Sequence, residues 1–337
     1  MSASSSGAPG PGEPGLDAAS LAAAADTLAA GGLVAFPTET VYGLGARADV
    51  DAAVAGIYAA KGRPSDHPLI VHVASPAEAV AFAADWPPLA QRLAEAFWPG
   101  PMTVIVPRRA GLAEAAAGGQ SSVGLRCPDH PVALALLRAA AERGVAGVAA
   151  PSANRFGRVS PTSAAHVREE FGPGLMVLDG GDCEVGIESA IIDCTRPWPV
   201  LLRPGALDRD RLAQVLGCAL RDRDEAAPRA SGTLTAHYAP RAKVRLMTAE
   251  QLRVAAQVMP PSALDKVAVY SRVALPPGVA LGARRSMPAD PQACAHELFA
   301  ALRELDASGA DLIWVETPPE LPAWEGVLDR LQRAAAA

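Results

Sequence analysis

Lys61 is the sole lysine in the first 242 residues of a 337-residue chain that carries three lysines and 27 arginines. A compact ammonium kept where arginine does nearly every other cationic job suits phosphate as a point charge, although three lysines must also fall somewhere. It opens the run Lys61-Gly62-Arg63-Pro64-Ser65-Asp66-His67-Pro68. Two cations with hydroxyl and imidazole donors on a proline-stiffened loop can hold a polyphosphate at fixed geometry; a solvated charged turn would read the same way. His72 follows within an apolar strand and reads either as a satisfied core histidine or as a catalytic imidazole.

Other constellations share that ambiguity. Pro37-Thr38-Glu39-Thr40-Val41-Tyr42-Gly43-Leu44-Gly45 is expected to be a polar loop whose glycines let backbone approach a ligand and whose threonines donate or accept, or else an ordinary turn. No G-x-x-x-x-G-K-[ST] run follows, so it is not a P-loop. Ser122-Val123-Gly124-Leu125-Arg126 puts a guanidinium at a strand end, where it can fork a carboxylate or simply face water. Ala150-Pro151-Ser152-Ala153-Asn154, with Ser160 close behind, places the only asparagine of the chain directly after a buried strand. Strand ends open onto crevices in α/β sheets, though such groups also cap turns. Glu188-Ser189-Ala190 and Leu201-Leu202-Arg203 each set polar groups against hydrophobic strands, and His237-Tyr238-Ala239-Pro240 is an amphipathic cluster in an otherwise polar stretch. That cluster can fold back as a lid or anchor a second domain.

The elements that must position these groups alternate. Residues 16–30 read as an amphipathic helix stopped by Gly31-Gly32, 33–36 as a buried strand, a helix starting at Asp49 or Asp51 as running to Ala60, and 69–74 as the next strand. Lys61 is thus expected just after a helix. Helices are predicted at 76–84, 88–97, 131–142 and 208–216, with strands at 103–107, 122–126 and 147–150. The strands at 176–178, 189–194 and 200–203 follow one another without room for crossover helices, which forces antiparallel pairing and makes the sheet mixed. Residues 218–242 form a linker and the remainder, 243–337, a small α/β unit; 1–15 are a Ser/Gly/Pro/Ala tail expected to be disordered, and 16–217 the main domain.

A net charge of −6 argues against coating nucleic acid by bulk attraction. Five cysteines without a C-x-x-C pair offer no zinc site and fit a reduced cytoplasmic interior. No segment reaches the roughly 18 apolar residues of a membrane helix.

With its motifs in order, F-P-T-E-T-V-Y-G-L-G, K-G-R-P, S-A-N and H-Y-A-P, the chain resembles the YrdC-type threonylcarbamoyl-AMP synthases, in their long form with a C-terminal domain. The resemblance runs from about Leu16 to the tail Gly326-Val327-Leu328-Asp329-Arg330-Leu331. It implies an open twisted mixed sheet of YrdC type and a second, smaller Rossmann-like domain. It implies an enzyme that joins L-threonine, bicarbonate and ATP, with Mg²⁺ on the phosphates and no organic cofactor, into L-threonylcarbamoyladenylate and pyrophosphate. A downstream threonylcarbamoyl-transferase complex then modifies tRNAs reading ANN codons. Carried over by position, Lys61, Ser65, Ser122, Ser152, Ser160 and Arg203 meet ATP, supported by Arg63 and Asn154, while His237 and Tyr238 close over the nucleotide. Thr38, His72, Arg126, the Ala150 backbone and Ser189 hold threonine. Lys61, Arg63 and Arg203 act on the reacting phosphates. Ala190 stands where these synthases usually have threonine, so weakened packing or one lost hydroxyl contact is expected. The rival reading, an RNA-binding or ribosome-assembly factor of the same fold, lacks the basic, aromatic-rich surface it needs.

Overall fold

The computed structural model describes residues 17–276 and 279–337; the tail expected to be disordered lies outside the described residues. Ten short strands build the first sheet: β1 (Val34–Phe36), β2 (Gly43–Arg47), β3 (Ile70–His72), β4 (Met102–Pro107), β5 (Ser122–Arg126), β6 (Val148–Ala149), β7 (Met176–Val177), β8 (Ala190–Asp193), β9 (Val200–Arg203) and β10 (Arg221–Asp222). Their order is β10-β9-β8-β4-β5-β3-β6-β2-β1-β7. Pairing is mixed as expected: β3 runs parallel to β5 and β4 to β8, whereas β1–β2 and β8–β9 are antiparallel because the chain between them is too short for a crossover.

Helices α1 (Ala18–Ala29), α2 (Asp51–Lys61), α3 (Pro76–Phe82), α4 (Pro88–Phe97), α5 (Pro131–Ala141), α6 (Ala164–Phe171) and α7 (Arg209–Leu216) accompany this sheet. Helix α2 stops because Gly62 adopts φ 66°, a left-handed conformation that glycine enters without steric cost, and not because a side chain would lack room there. Lys61 is therefore the last helical residue and not the first of the loop, which turns its side chain inward.

The loop at 37–45 is shorter than its composition suggests. Gly43, Leu44 and Gly45 belong to β2, pairing with Phe36, Ala35 and Val34. A Cβ on Gly45 would lie 2.8 Å from both Phe36 Cε1 and Val148 Cγ1, so this glycine serves strand packing and not ligand approach. Helix α6 has no counterpart in the sequence reading because Ala164–Phe171 carries two glutamates and an arginine and shows no clear apolar stripe; Ser163 caps it by accepting from the His166 amide.

The second sheet is smaller and wholly parallel, in the order β11 (Lys243–Met247), β14 (Leu312–Glu316), β12 (Val267–Ser271), β13 (Ala283–Ser286). Around it lie α8 (Ala249–Val258), α9 (Pro261–Leu264), α10 (Pro291–Ala307) and α11 (Glu325–Ala335). Its core is continuous with the first domain: Val41, Val159, Ile187 and Tyr238 pack with Leu298, Phe299 and Leu331 in one cluster. The segment between the sheets lies over the first sheet as a strap, its Ala227 and Ala230 packing on Ile70, Ile105, Ile191 and Leu202. Among the described residues no helix is long and apolar enough to cross a membrane.

Candidate active site

A cleft opens over the sheet around Ile70 and His72 of β3, Arg126 of β5 and Ala150, which follows β6 and lies beside Ile70 because β6 runs antiparallel to β3. It gathers Thr38, Arg63, His72, Arg126, Ala150, Ser152, Glu188, Arg203, His237 and Tyr238, residues drawn from eight separate places along the chain. The strap contributes Ser231 and Gly232 as well.

Arg126, at the end of β5, is 4% exposed and held from three sides. Its Nη2 donates to Thr40 Oγ1 at 2.9 Å and its Nε to the Gly100 carbonyl at 3.4 Å. Glu39 Oε2 lies 2.8 Å from the same Nη2, a buried ion pair whose angle is not that of a hydrogen bond, and the Glu39 oxygens have no hydrogen-bond partner in the protein. Nη1 is left free of protein partners among the described residues. Thr38 Oγ1 donates to the Val41 carbonyl at 2.6 Å and accepts from the Thr40 and Val41 amides, which folds the tight turn that presents Thr40. His72 is buried beside this guanidinium; desolvation first and Arg126 second push its pKa down to about 3. A neutral imidazole of such low basicity is a poor proton acceptor, which argues against His72 as the general base.

A second cationic group faces the strap. Arg203 donates from Nε to the Ser189 carbonyl (3.0 Å), from Nη2 to Ser189 Oγ (3.2 Å) and from Nη1 to the Ser231 carbonyl (3.0 Å). Thr103 completes this corner, 2.8 Å from Ser189 Oγ. Arg63 donates to the Pro68 carbonyl at 3.0 Å, and burial, with Arg203 among the charges opposing it, lowers its pKa to about 10. Ser160 Oγ donates to Glu188 Oε1 at 2.5 Å. His237 packs edge-on against Phe156 and Tyr238, and burial holds its pKa at about 3.

Several expected residues are placed differently. Lys61 does not line the cleft: its Nζ donates to the Ser152 carbonyl at 2.6 Å and to the Asn154 carbonyl, so it braces the Ser-Ala-Asn loop from behind. Burial, then Arg63, presses its pKa well below the ordinary lysine value. Asn154 donates to the Arg155 and Arg158 carbonyls (2.7 and 2.8 Å), shaping the turn. Ser122 lines a smaller adjoining hollow with Thr103 and Gly124, and Ser65 is exposed and lines neither hollow. Ala190 turns away from the cleft into the core with Met102 and Ile192, so a threonine there would meet packed side chains and not ligand. Thr103 is the site residue that the sequence reading passed over; Glu39, Thr40 and Glu188 stood in the constellations named above without a role of their own, and a carboxylate between two threonines on a strand-ending turn was the available signal for the first of them.

Comparison with known proteins settles the family. Residues 26–205 match a family model described as "Telomere recombination", and 207–336 match the threonylcarbamoyl-AMP synthase C-terminal domain. A threonylcarbamoyl-AMP synthase of Pyrococcus abyssi is 38% identical over 326 residues, spanning 93% of both chains. The chain belongs to the threonylcarbamoyl-AMP synthases. It shares 36% identity with the family member of Bacillus subtilis, covering 94% of this chain and 92% of that one. The solved structure of P. abyssi Sua5 complexed with L-threonine superposes with a TM-score of 0.84 at 36% identity, over 94% of each chain. A variant of the same protein with a histidine and a tyrosine changed to alanine matches at 0.87, covering 96% of this chain and 95% of that one. As a member of this family the chain is an enzyme, an adenylyl-type transferase.

Proposed function

We propose that the cleft condenses L-threonine, bicarbonate and ATP into L-threonylcarbamoyladenylate and pyrophosphate. The observation that carries this is the presence of two distinct cationic centres in one cleft. Arg126 is held by Thr40 and Glu39 beside His72, whereas Arg203 and Arg63 both reach Ser231 of the strap. The free Nη1 of Arg126, next to Thr38 and His72, suits the threonine carboxylate, with the Ala150 backbone completing that end, whereas Ser189 is bonded to Arg203 and goes with the other end. Arg203 and Arg63, with Ser152, Ser160 and the nearby Ser122, suit the triphosphate, and His237 and Tyr238 cover it.

The threonine carbamate must attack the α-phosphorus in line while pyrophosphate leaves. This is catalysis by placement and charge, and two fixed guanidiniums supply both. Lys61 and Asn154 hold the Ser152 loop at the distance that the phosphates require. Ser65, on the rim, reaches ATP only if the loop at 62–68 folds inward.

Glu188 is the only carboxylate lining the cleft, and Ser160 and Arg330 engage its two oxygens; no cluster of three acidic, histidine or cysteine side chains occurs among the described residues. This donor set fits Mg²⁺ carried on ATP phosphates and water and not a protein cage. The adenylate then passes to a threonylcarbamoyl-transferase complex acting on tRNAs that read ANN codons, in the cytoplasm, where the four buried free thiols stay reduced. Pyrophosphate release by the purified chain should require both L-threonine and bicarbonate; equal release with either omitted sinks the reading.

A further inference from the structure

The largest fully buried side chain in the protein is charged and belongs to the second domain. Arg330, on α11, is 0% exposed. Its Nε donates to Glu188 Oε2 and its Nη2 to the Glu188 carbonyl, both at 3.0 Å, so one guanidinium grips side chain and backbone of the same residue. Its Nη1 donates to the Pro204 carbonyl at 2.7 Å and to Asp329 Oδ2 at 3.0 Å. The guanidinium carbon also lies 5.5 Å from the centre of the Tyr238 ring.

We propose that Arg330 is a positioning residue of the nucleotide end of the cleft, through which the second domain sets the geometry of Arg203, Ser189 and Ser160. Its two anchor points, Glu188 and Pro204, are the chain neighbours of Ser189 and Arg203, whose mutual hydrogen bonds form the corner described above. Glu188 passes the constraint on to Ser160 through its other oxygen.

The docking of α11 is built for this reach. A Cβ on Gly326 would lie 2.5 Å from the Gly205 carbonyl oxygen, and one on Gly205 would lie 2.4 Å from the Ala190 amide. Helix, loop and strand are thus in backbone contact, and side chains at either glycine would push Arg330 away from Glu188. The charges agree. Burial opposes ionisation of Glu188, yet Arg330, Arg203 and the Ser160 hydroxyl together lower its pKa. Burial likewise opposes the Arg330 charge, but Tyr238, Glu188 and Asp329 raise its pKa.

The inference rests on the proposed placement of ATP. In the full chain, Arg330→Met should lower kcat/KM for ATP on the order of 10²-fold, the scale of a small displacement imposed from outside the chemistry. The change should fall on ATP while KM for threonine moves by less than about twofold, because Arg126 is held without help from α11. Arg330→Lys, which keeps the charge but loses the fork, should recover part of the loss, and Glu188→Gln with Arg330→Met should lose less than the two singles combined. Glu325→Gln, on the same helix as Arg330, weakens the Arg209–Glu325 pair between α7 and α11 and should leave both KM values at wild type. The inference is overturned by a folded Arg330→Met enzyme with wild-type KM for ATP, by equal losses for both substrates, or by an equal loss in Glu325→Gln. If the methionine variant loses its cooperative melting transition, Arg330→Lys carries the same test. Calorimetric ATP affinity, measured without threonine, keeps this separate from the reaction: wild type that binds ATP but releases no pyrophosphate overturns the proposed chemistry, while the affinity ratio still decides the role of Arg330.

Discussion

The two ends of the cleft are built on different plans. The Arg126 end is assembled from the β1–β2 turn and the ends of β3 and β5, and its buried ion pair, Arg126 with Glu39, lies within one domain. The Arg203 end is closed by the strap and buttressed by Arg330 from the second domain, so its buried pair, Arg330 with Glu188, crosses the interface. One end is complete once the first sheet has formed; the other is complete only when strap and second domain are seated. The Arg203 end can therefore vary without disturbing the Arg126 end.

Removing the charge at either end is the most severe test of this division. Arg203→Met should cost kcat/KM for ATP on the order of 10²- to 10³-fold, the loss expected when a fixed positive charge no longer meets developing negative charge. Steady-state pyrophosphate release at varied ATP reads this directly, and a threonine-specific defect would reverse the assignment. Arg126→Met should instead raise KM for threonine and also destabilise the fold by roughly 3–5 kcal/mol, because Glu39 is left buried and uncompensated. Glu39→Gln in the same chain should restore stability but not threonine affinity, a split visible by pairing chemical denaturation with kinetics.

Acid probes both ends together, since each holds a histidine with pKa near 3, His72 at one and His237 in the strap. Both folded values lie below the ordinary value of 6.5, so the unfolded chain takes up protons first. Their stabilising contribution is full above about pH 6.5 and is lost progressively as pH falls towards 3, worth a few kcal/mol for each. Thermal midpoints measured across that window should fall steeply, and His237→Gln should flatten part of the slope. The mildest change is Gly45→Ala, which overpacks Phe36 and Val148 and should cost about 1–3 kcal/mol. Because it disturbs only the first sheet, KM for ATP should stay at wild type.

Much of the frame was legible in the sequence because local signals were strong. Pro88–Phe97, Ser122–Arg126 and Val200–Arg203 were bounded by prolines or followed apolar runs with clear periods. His72, Arg126 and Arg203 could be brought together from strands β3, β5 and β9 ending on one side of the sheet, but Thr38 and Ser152 follow strands of the opposite direction and meet them only because β3 and β6 are short. What could not be read was direction. Lys61 and Asn154 lie in the expected motifs yet point into the loop they support, since one residue more of helix turns the lysine inward. Arg330 was invisible as a site residue for a related reason: buried next to Leu331 and Val327 on an amphipathic helix, it breaks the apolar face in a way that only a partner carboxylate from another domain explains.

Tyr238 shows what holds the strap in place. Its backbone is left-handed at φ 60°, a cost of roughly 1–2 kcal/mol for a residue other than glycine. Its hydroxyl is buried with no hydrogen-bond partner in the protein, a further penalty of about 1–3 kcal/mol. Opposing these are the burial of its ring against Phe299, 5.4 Å away, and the cation–π contact with Arg330. In mechanical terms the strap is a clasp fastened at several points, and Tyr238 is the one that carries tension: its strained backbone and unpartnered hydroxyl are held by ring packing, while Ser231, Ala227 and Ala230 fasten the rest to the first sheet.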